Sequence, residues 1–308
     1  MRILVLGHSG YLGGHAAEQL RALPGAQLLG GGRSPGPGDI EADLATIGPG
    51  RLAEKVAAFA PDAVVNCAGA VGGDAVTLAE VNARGPAVLC AALREAAPRA
   101  RLVHLGSAAE YGPTGHGERV TEHAATRPEG PYGATKLAGT VAVTASGLDA
   151  VVLRVTNPVG PGAPAAGLPG RLAAQLRRAG TAPDAVVRLG DLSAYRDFVD
   201  ARDVAHAVVL AVTAPGPLPG VLNISGGKAV PVRELVHGLT DVAGFRGRVE
   251  EATGASAGSV RSAQVSWQCS DPTAARDALG WAPGHRLRDS LTALWDATAP
   301  ERTEDQNR

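Results

Sequence analysis

Arg2-Ile3-Leu4-Val5-Leu6-Gly7-His8-Ser9-Gly10-Tyr11-Leu12-Gly13-Gly14 is the stretch on which the fold turns. An apolar run ends at Gly7, glycines recur at Gly10 and Gly13, and a helical pattern follows from about residue 15 to about residue 22. Strand, glycine turn and helix in that order let the backbone turn tightly and approach a pyrophosphate, whose charge the amides at the helix N-terminus stabilise. The spacing is G-x-x-G-x-x-G, not the G-x-G-x-x-G of ordinary dehydrogenases. Ser9, Tyr11 and Leu12 complete the expected cofactor loop, and His8 reads as a tolerated polar position within it.

Working outward, a second strand, Gln27-Leu28-Leu29-Gly30-Gly31, ends in Gly32-Arg33-Ser34. An acidic residue normally grips the adenosine ribose at this place, and Gly32 stands there instead. A missing carboxylate followed by Arg33 and Ser34 suits a 2′-phosphate, because a guanidinium pairs with it and no anion repels it. A solvent-exposed loop arginine is the alternative. Asp43-Leu44 is placed to receive the adenine edge or, equally, to cap a helix. The strand Ala63-Val64-Val65-Asn66-Cys67 runs into Ala68-Gly69-Ala70, small residues over which a cofactor can lie. Leu102-Val103-His104-Leu105 delivers Gly106-Ser107-Ala108-Ala109-Glu110-Tyr111-Gly112 at its C-terminal end, where open α/β sheets bind ligands.

Pro131-Tyr132-Gly133-Ala134-Thr135-Lys136 carries the chemistry. Four residues apart on a helix, Tyr132 and Lys136 share one face. A phenol exchanges protons poorly at neutral pH, and a lysine cation beside it favours the phenolate. Tyr132 can then trade a proton with a substrate hydroxyl or carbonyl.

Composition narrows the remaining classes. With 29 Lys and Arg against 30 Asp and Glu, no charge excess argues for nucleic acid or an anionic membrane as partner. Cys67, Cys90 and Cys269 are scattered without metal-ligand spacing and read as core thiols of a reducing compartment. His104, His116, His123 and His206 show no ligand spacing either, so no metal site is expected, and Glu118 and Glu122 fit a flexible lid as well as a site. Met1 and Arg2 lead directly into the first strand, no apolar run approaches membrane-spanning length, and a cytoplasmic protein is expected.

Taken together, these motifs resemble the extended short-chain dehydrogenases/reductases, the NAD(P)-dependent epimerase/dehydratase family, from the Gly7 loop to Leu279-Gly280-Trp281. The resemblance implies an α/β fold, a Rossmann-type doubly wound parallel sheet with a smaller C-terminal substrate-binding lobe. Residues 1–158 would form the cofactor domain, to which 196–224 return; 159–195 and 225–297 would form the lobe, and 298–308 a disordered tail. By resemblance Ser107 holds the substrate oxygen, Tyr132 is the acid/base, and Lys136 binds the nicotinamide ribose and tunes the tyrosine. Asn82 matches an asparagine that supports the site in relatives, with an ordinary helix polar residue as the alternative. Ala108 and Ala109 replace the Asp-Glu pair of 4,6-dehydratases, which leaves reduction or epimerisation. The segments 106–112 and 190–203 are similar to those of GDP-4-dehydro-6-deoxy-D-mannose reductases.

That similarity implies reduction of a C4 ketone on a nucleotide-linked 6-deoxyhexose, with NADP(H) favoured and NAD(H) possible. Substrate contacts are expected from Ser107, Ala108, Asn157, Arg196 and Arg261, the arginines on the diphosphate. Pro158, and Ser262-Ala263-Gln264 after Arg261, depart from the subfamily pattern and leave the base open between guanine and thymine or uracil. An epimerase with retained NAD and a reductase of a non-sugar ketone remain alternatives. Small residues in the helices near 84–97 and 132–146 permit close packing, and a homodimer is expected.

Overall fold

The computed structural model describes residues 1–251 and 265–299. Arg261 and residues 300–308 lie outside the described residues.

Seven parallel strands form the main sheet: β1 (Arg2–Leu6), β2 (Gln27–Gly32), β3 (Ile40–Glu41), β4 (Ala63–Asn66), β5 (Arg101–Ser107), β6 (Ala150–Val155) and, after a long excursion, β10 (Val221–Ile224). Their spatial order is β3-β2-β1-β4-β5-β6-β10, so the order reverses between β1 and β4 and opens a crevice at the strand ends there. Alternation along the strands gives the main sheet two buried faces. Ile3, Val5, Val65 and Val103 point to one face, where α1 (Tyr11–Arg21) and α7 (Ala201–Thr213) bury Ala16, Ala17, Leu20, Val204 and Val208. Leu4, Leu6, Val64 and Leu102 point to the other, covered by α2 (Pro49–Phe59), α4 (Gly85–Ala96) and α5 (Pro131–Thr144) through Leu52, Val56, Leu89, Leu93 and Val143. Each fully buried Leu or Val of this kind contributes on the order of 1.5–3 kcal/mol.

The helix after the glycine turn begins at Tyr11, not near residue 15, capped by Gly10. Glycine makes this early start possible: a Cβ on Gly13 would lie 2.0 Å from the Gly7 carbonyl oxygen. Gly7 is doubly constrained, with φ +76° and a hypothetical Cβ 2.7 Å from the Ala68 amide nitrogen. Gly7 and Gly13 thus set how closely the β1 turn, α1 and the end of β4 approach one another.

A second core forms around α6 (Leu168–Ala179), α8 (Val232–Val242) and α10 (Leu287–Ala297) with the parallel pair β8 (Val186–Leu189) and β12 (Arg248–Glu251). Between the two cores runs a small sheet, β7 (Asn157–Val159), β9 (Tyr195–Asp200) and β11 (Ala229–Pro231). Of residues 196–224, α7 and β10 therefore belong with the main sheet, whereas β9 pairs with β7 and β11. Residues 225–297 do not all pack in the second core: Ala275 of α9 (Thr273–Leu279) and the fully buried Trp281 join the α1/α7 face. The Trp281 indole donates to the Asp203 carbonyl at 2.9 Å, which fixes it beside α7. No described helix is long and apolar enough to cross a membrane.

Candidate active site

Ser107 ends β5 and caps the short turn that follows, Ala108–Glu110. Its Oγ accepts from the Ala109 amide at 3.2 Å, while its own amide donates to Glu110 Oε1 at 2.8 Å. Because the hydroxyl accepts from the backbone, its proton remains to donate outward. Glu110, read from the sequence as either a support or a surface charge, is fully buried and pairs with Arg154 Nε at 2.7 Å. Arg154 also lies over the Tyr111 ring, 4.7 Å from its centroid, and the Tyr111 hydroxyl donates to Asn223 Oδ1 at 2.7 Å. This Glu110–Arg154–Tyr111–Asn223 chain ties the Ser107 turn to β6 and β10, and sequence reasoning missed it. The adjacent Gly106 was the available signal: a Cβ there would come within 2.8 Å of Glu110 Oε1.

The helix α5 is brought against this turn by Gly133, whose hypothetical Cβ would sit 2.4 Å from the Ala109 carbonyl oxygen. Tyr132, partly exposed, is thereby held next to the Ser107 turn. One turn on, Lys136 is buried and its Nζ donates to the Leu105 carbonyl on β5. Desolvation holds the Lys136 pKa below the ordinary lysine value, opposed by the Glu110 charge. Burial, reinforced by the Lys136 charge, drives His104 well below its usual pKa and keeps it neutral. Burial also pushes the Cys67 thiol up to about 12, so it is no nucleophile at neutral pH.

Asn82 sits in a single π-helical turn, Glu80–Arg84, between α3 (Ala75–Ala79) and α4, a feature frequent at functional sites. It is 1% exposed, which removes the reading as an ordinary helix polar residue. Its Nδ2 donates to the Ala70 carbonyl at 2.8 Å and its Oδ1 accepts the Ala70 amide at 2.9 Å, fixing the Ala68-Gly69-Ala70 strand end. A Cβ on Gly69 would stand 4.0 Å from Lys136 Nζ, so this strand end lies directly beside the lysine.

Several other residues named from the sequence meet different fates. Ser9, Gly10, Arg33 and Ser34 are exposed at the crevice end of β1 and β2. Tyr11, half-buried, turns its ring edge-on to His15 at 5.7 Å, and Leu12, also half-buried, packs on the α1/α7 core. Leu44 is buried in the opposite core, and Asp43 Oδ1 accepts the Ala45 amide at 3.1 Å within a turn; it caps no helix, since α2 is capped by Gly48. Arg84 clasps the same turn through the carbonyls of Leu44, Ala45 and Ile47. Ala108 is a correction: its methyl is 2% exposed and packs with Tyr111 and Val120, leaving no side chain for substrate. Asn157 Nδ2 donates to the Asp197 carbonyl and to Gln268 Oε1, and Arg196, 8% exposed, donates to the Tyr195 carbonyl.

The loop between Gly112 and Gly130, read as a flexible lid, is tied down. Val120 bridges to Ser270, Glu122 Oε1 accepts the Asn223 amide at 2.7 Å, and Trp267 donates to the Glu118 carbonyl at 2.7 Å. Among the described residues no group of three His, Cys, Asp or Glu is arranged to hold a metal.

The glycine turn at a parallel-sheet crevice, beside a strand end that carries the Ser107 turn and lies against the helix of Tyr132 and Lys136, has a counterpart in known proteins. Residues 3–225 match the NAD dependent epimerase/dehydratase family. The chain belongs to that family, the extended short-chain dehydrogenases/reductases. It is 41% identical over 213 residues to dTDP-6-deoxy-L-talose 4-dehydrogenase (NAD(P)(+)) of Kitasatospora kifunensis, covering 66% of this chain and 65% of that protein. It is 27% identical over 190 residues to GDP-6-deoxy-D-mannose reductase of Pseudomonas aeruginosa, covering 59% and 61%. These matches span less than two thirds of either relative. Over 96% of the chain the fold superposes on RMD from Pseudomonas aeruginosa complexed with NADPH, with a TM-score of 0.82, 25% identity and 98% of that chain covered. MoeE5 in complex with UDP-glucuronic acid and NAD gives a TM-score of 0.82 at 26% identity, covering 97% of this chain and 99% of its own.

Proposed function

We propose that the protein is an NADPH-dependent reductase of a nucleotide-linked 4-keto-6-deoxyhexose, with Tyr132 as proton donor to the C4 oxygen. The observation that carries this reading is the Ser107 turn. The positions where 4,6-dehydratases hold an acid pair are Ala108 and Ala109, and the only carboxylate in the turn, Glu110, is buried against Arg154. With no carboxylate facing the reacting carbons from this turn, elimination of water lacks its acid and base, and carbonyl reduction needs only what remains. The Ser107 and Tyr132 hydroxyls hydrogen-bond the ketone oxygen, and Tyr132 hands over its proton as alkoxide charge develops. The buried Lys136 cation, held by the Leu105 carbonyl, offsets negative charge on the phenol oxygen left behind.

The described residues fit a dinucleotide. Helix α1 opens on Gly10 with no side-chain cap, so its first-turn amides are available to a pyrophosphate, and Gly7, Gly10 and Gly13 leave the main chain bare where it would lie. When bound, the reduced nicotinamide supplies hydride. Open space surrounds Gly32, where a Cβ would meet nothing within 4 Å, and the exposed Arg33 and Ser34 follow it, an arrangement that accepts a 2′-phosphate. Kinship to a dTDP-6-deoxy-L-talose 4-dehydrogenase supports a thymidine diphosphate sugar ahead of a guanosine one. Oxidation of a C4 alcohol and reduction of a C4 ketone are the same step run in opposite directions.

The test is incubation with dTDP-4-keto-6-deoxy sugars and, separately, GDP-4-keto-6-deoxymannose, following consumption of NADPH and of NADH, with Tyr132→Phe as control. NADPH loss with one sugar, abolished in the variant, is expected. No loss with either sugar overturns the assignment, and interconversion of C4 epimers without net NADPH consumption would replace it with an epimerase.

A further inference from the structure

His8 and Asp39 meet across the bare end of β2. Asp39 Oδ1 accepts the Gly30 amide at 2.9 Å, its Oδ2 accepts the Gly36 amide at 3.1 Å, and the same Oδ2 lies 3.0 Å from His8 Nε2. Only a glycine fits beneath them: a Cβ on Gly30 would stand 2.4 Å from Asp39 Oδ1 and 2.7 Å from His8 Cε1. His8 belongs to the glycine turn and Asp39 closes the loop that begins with Arg33 and Ser34. Residues 33–38 are all exposed, so no apolar burial fixes that loop; its shape comes from the Asp39 carboxylate and the turn bond from the Asp39 amide to the Gly36 carbonyl.

We propose that the His8–Asp39 pair is a positioning device that sets preference for a 2′-phosphorylated dinucleotide, resting on the cofactor reading given above. Two physical effects converge on it. Asp39 orders the short loop carrying Arg33 and Ser34, which lowers the entropy lost when they engage a phosphate. Alone, that carboxylate would be an anion beside the place a 2′-phosphate takes, and repulsion would cancel the gain. His8, with a side chain 15% exposed, places its Nε2 on that carboxylate, occupying an acceptor oxygen that would otherwise face the phosphate, and joins the loop to the pyrophosphate turn. Neither residue touches the reacting atoms, so both act through Arg33, Ser34 and the glycine turn.

Calorimetric titration of the apoprotein with NADPH and with NADH tests this without reference to turnover. Wild type is expected to bind NADPH more tightly than NADH. His8→Ala, which leaves Asp39 unpaired, should weaken NADPH by about tenfold while changing NADH by less than about twofold. His8→Ala with Asp39→Asn removes the stranded anion and should recover NADPH affinity relative to His8→Ala alone. That recovery is a signature that mere loss of loop stability does not produce. Equal weakening of both dinucleotides in His8→Ala, with no recovery in the double variant, overturns the role of the pair while leaving the NADPH reading standing. Wild type binding NADH as tightly as NADPH overturns the cofactor reading itself, and the inference with it.

Discussion

The two ends of the crevice are built on opposite plans. At the reaction end, Ser107, Glu110, Asn82 and Lys136 are each no more than 9% exposed and their polar atoms are engaged by strands, turns and one another. At the other end, Gly30, Gly31 and Gly32 carry no side chains and Arg33 to Gly38 lie in solvent. Proton transfer requires groups fixed to a fraction of an ångström, which burial and satisfied hydrogen bonds provide. Discrimination between two dinucleotides requires only the presence or absence of charge at one phosphate, and an open loop provides that. The comparison teaches that substitutions at the two ends should fail differently: at the first in rate and stability, at the second in the ratio of two affinities.

Tyr132→Phe should break the reaction end most sharply. It removes the transferable proton and keeps the ring, so kcat should fall by about 10²–10⁴-fold while dinucleotide affinity in a binding titration stays near wild type. A comparable loss of binding would show that the phenol acts in holding the cofactor.

Next in size is the support beneath it. Glu110→Gln strands the buried Arg154 and should lower stability by about 3–5 kcal/mol, seen as an earlier urea midpoint with an unchanged slope. Adding Arg154→Met should restore part of the loss, since an apolar pair no longer carries an unmatched charge. If Glu110→Gln unfolds at the wild-type midpoint, the pair does not hold the Ser107 turn.

At the open end, Gly32→Asp should leave the melting temperature unchanged, because a Cβ there meets nothing within 4 Å. It should shift preference from NADPH toward NADH by about 10–100-fold, read as a ratio of Kd values, through ribose hydrogen bonds gained and phosphate repulsion added. An unaltered ratio would place the ribose elsewhere.

The same contrast explains what was legible in the sequence. Gly7, Gly10 and Gly13, the apolar strands, and Tyr132 with Lys136 are local patterns whose spacing carries their meaning, and they sufficed for the doubly wound sheet and the family. Pairings distant along the chain left no such trace. Glu110 finds Arg154 across 44 residues, and Tyr111 finds Asn223 across 112. The small β7-β9-β11 sheet joins three short segments of no strong period. Ala108 looked available because it neighbours Ser107, yet the tight turn after β5 rotates its methyl into the cluster with Tyr111 and Val120. Asp39 was invisible because its role depends on Gly30, nine residues earlier, having no side chain.

Another buried carboxylate sharpens the comparison by showing what happens without a cationic partner in the described structure. Asp197 on β9 is fully buried and receives the Gly226 amide at 2.7 Å and the Ser270 amide at 3.0 Å. Desolvation outweighs these hydrogen bonds and raises its pKa to about 6, from 3.8. The folded state therefore holds this proton more tightly than the unfolded chain. Stability that Asp197 contributes is present below pH ~4 and is lost as pH rises through ~6, the reverse of the trend for carboxylates held low, such as Asp200 and Asp271. Comparing wild type with Asp197→Asn isolates the effect, because the other carboxylates are common to both. The variant does not ionise, but its amide faces a backbone donor and costs about 1–3 kcal/mol at every pH. Between pH 4.5 and 7 the wild type should lose about 1–2 kcal/mol relative to the variant, in urea denaturation at each pH. Parallel stability curves would mean that the two amides alone satisfy the charge, and that a buried carboxylate beside this site needs no cation.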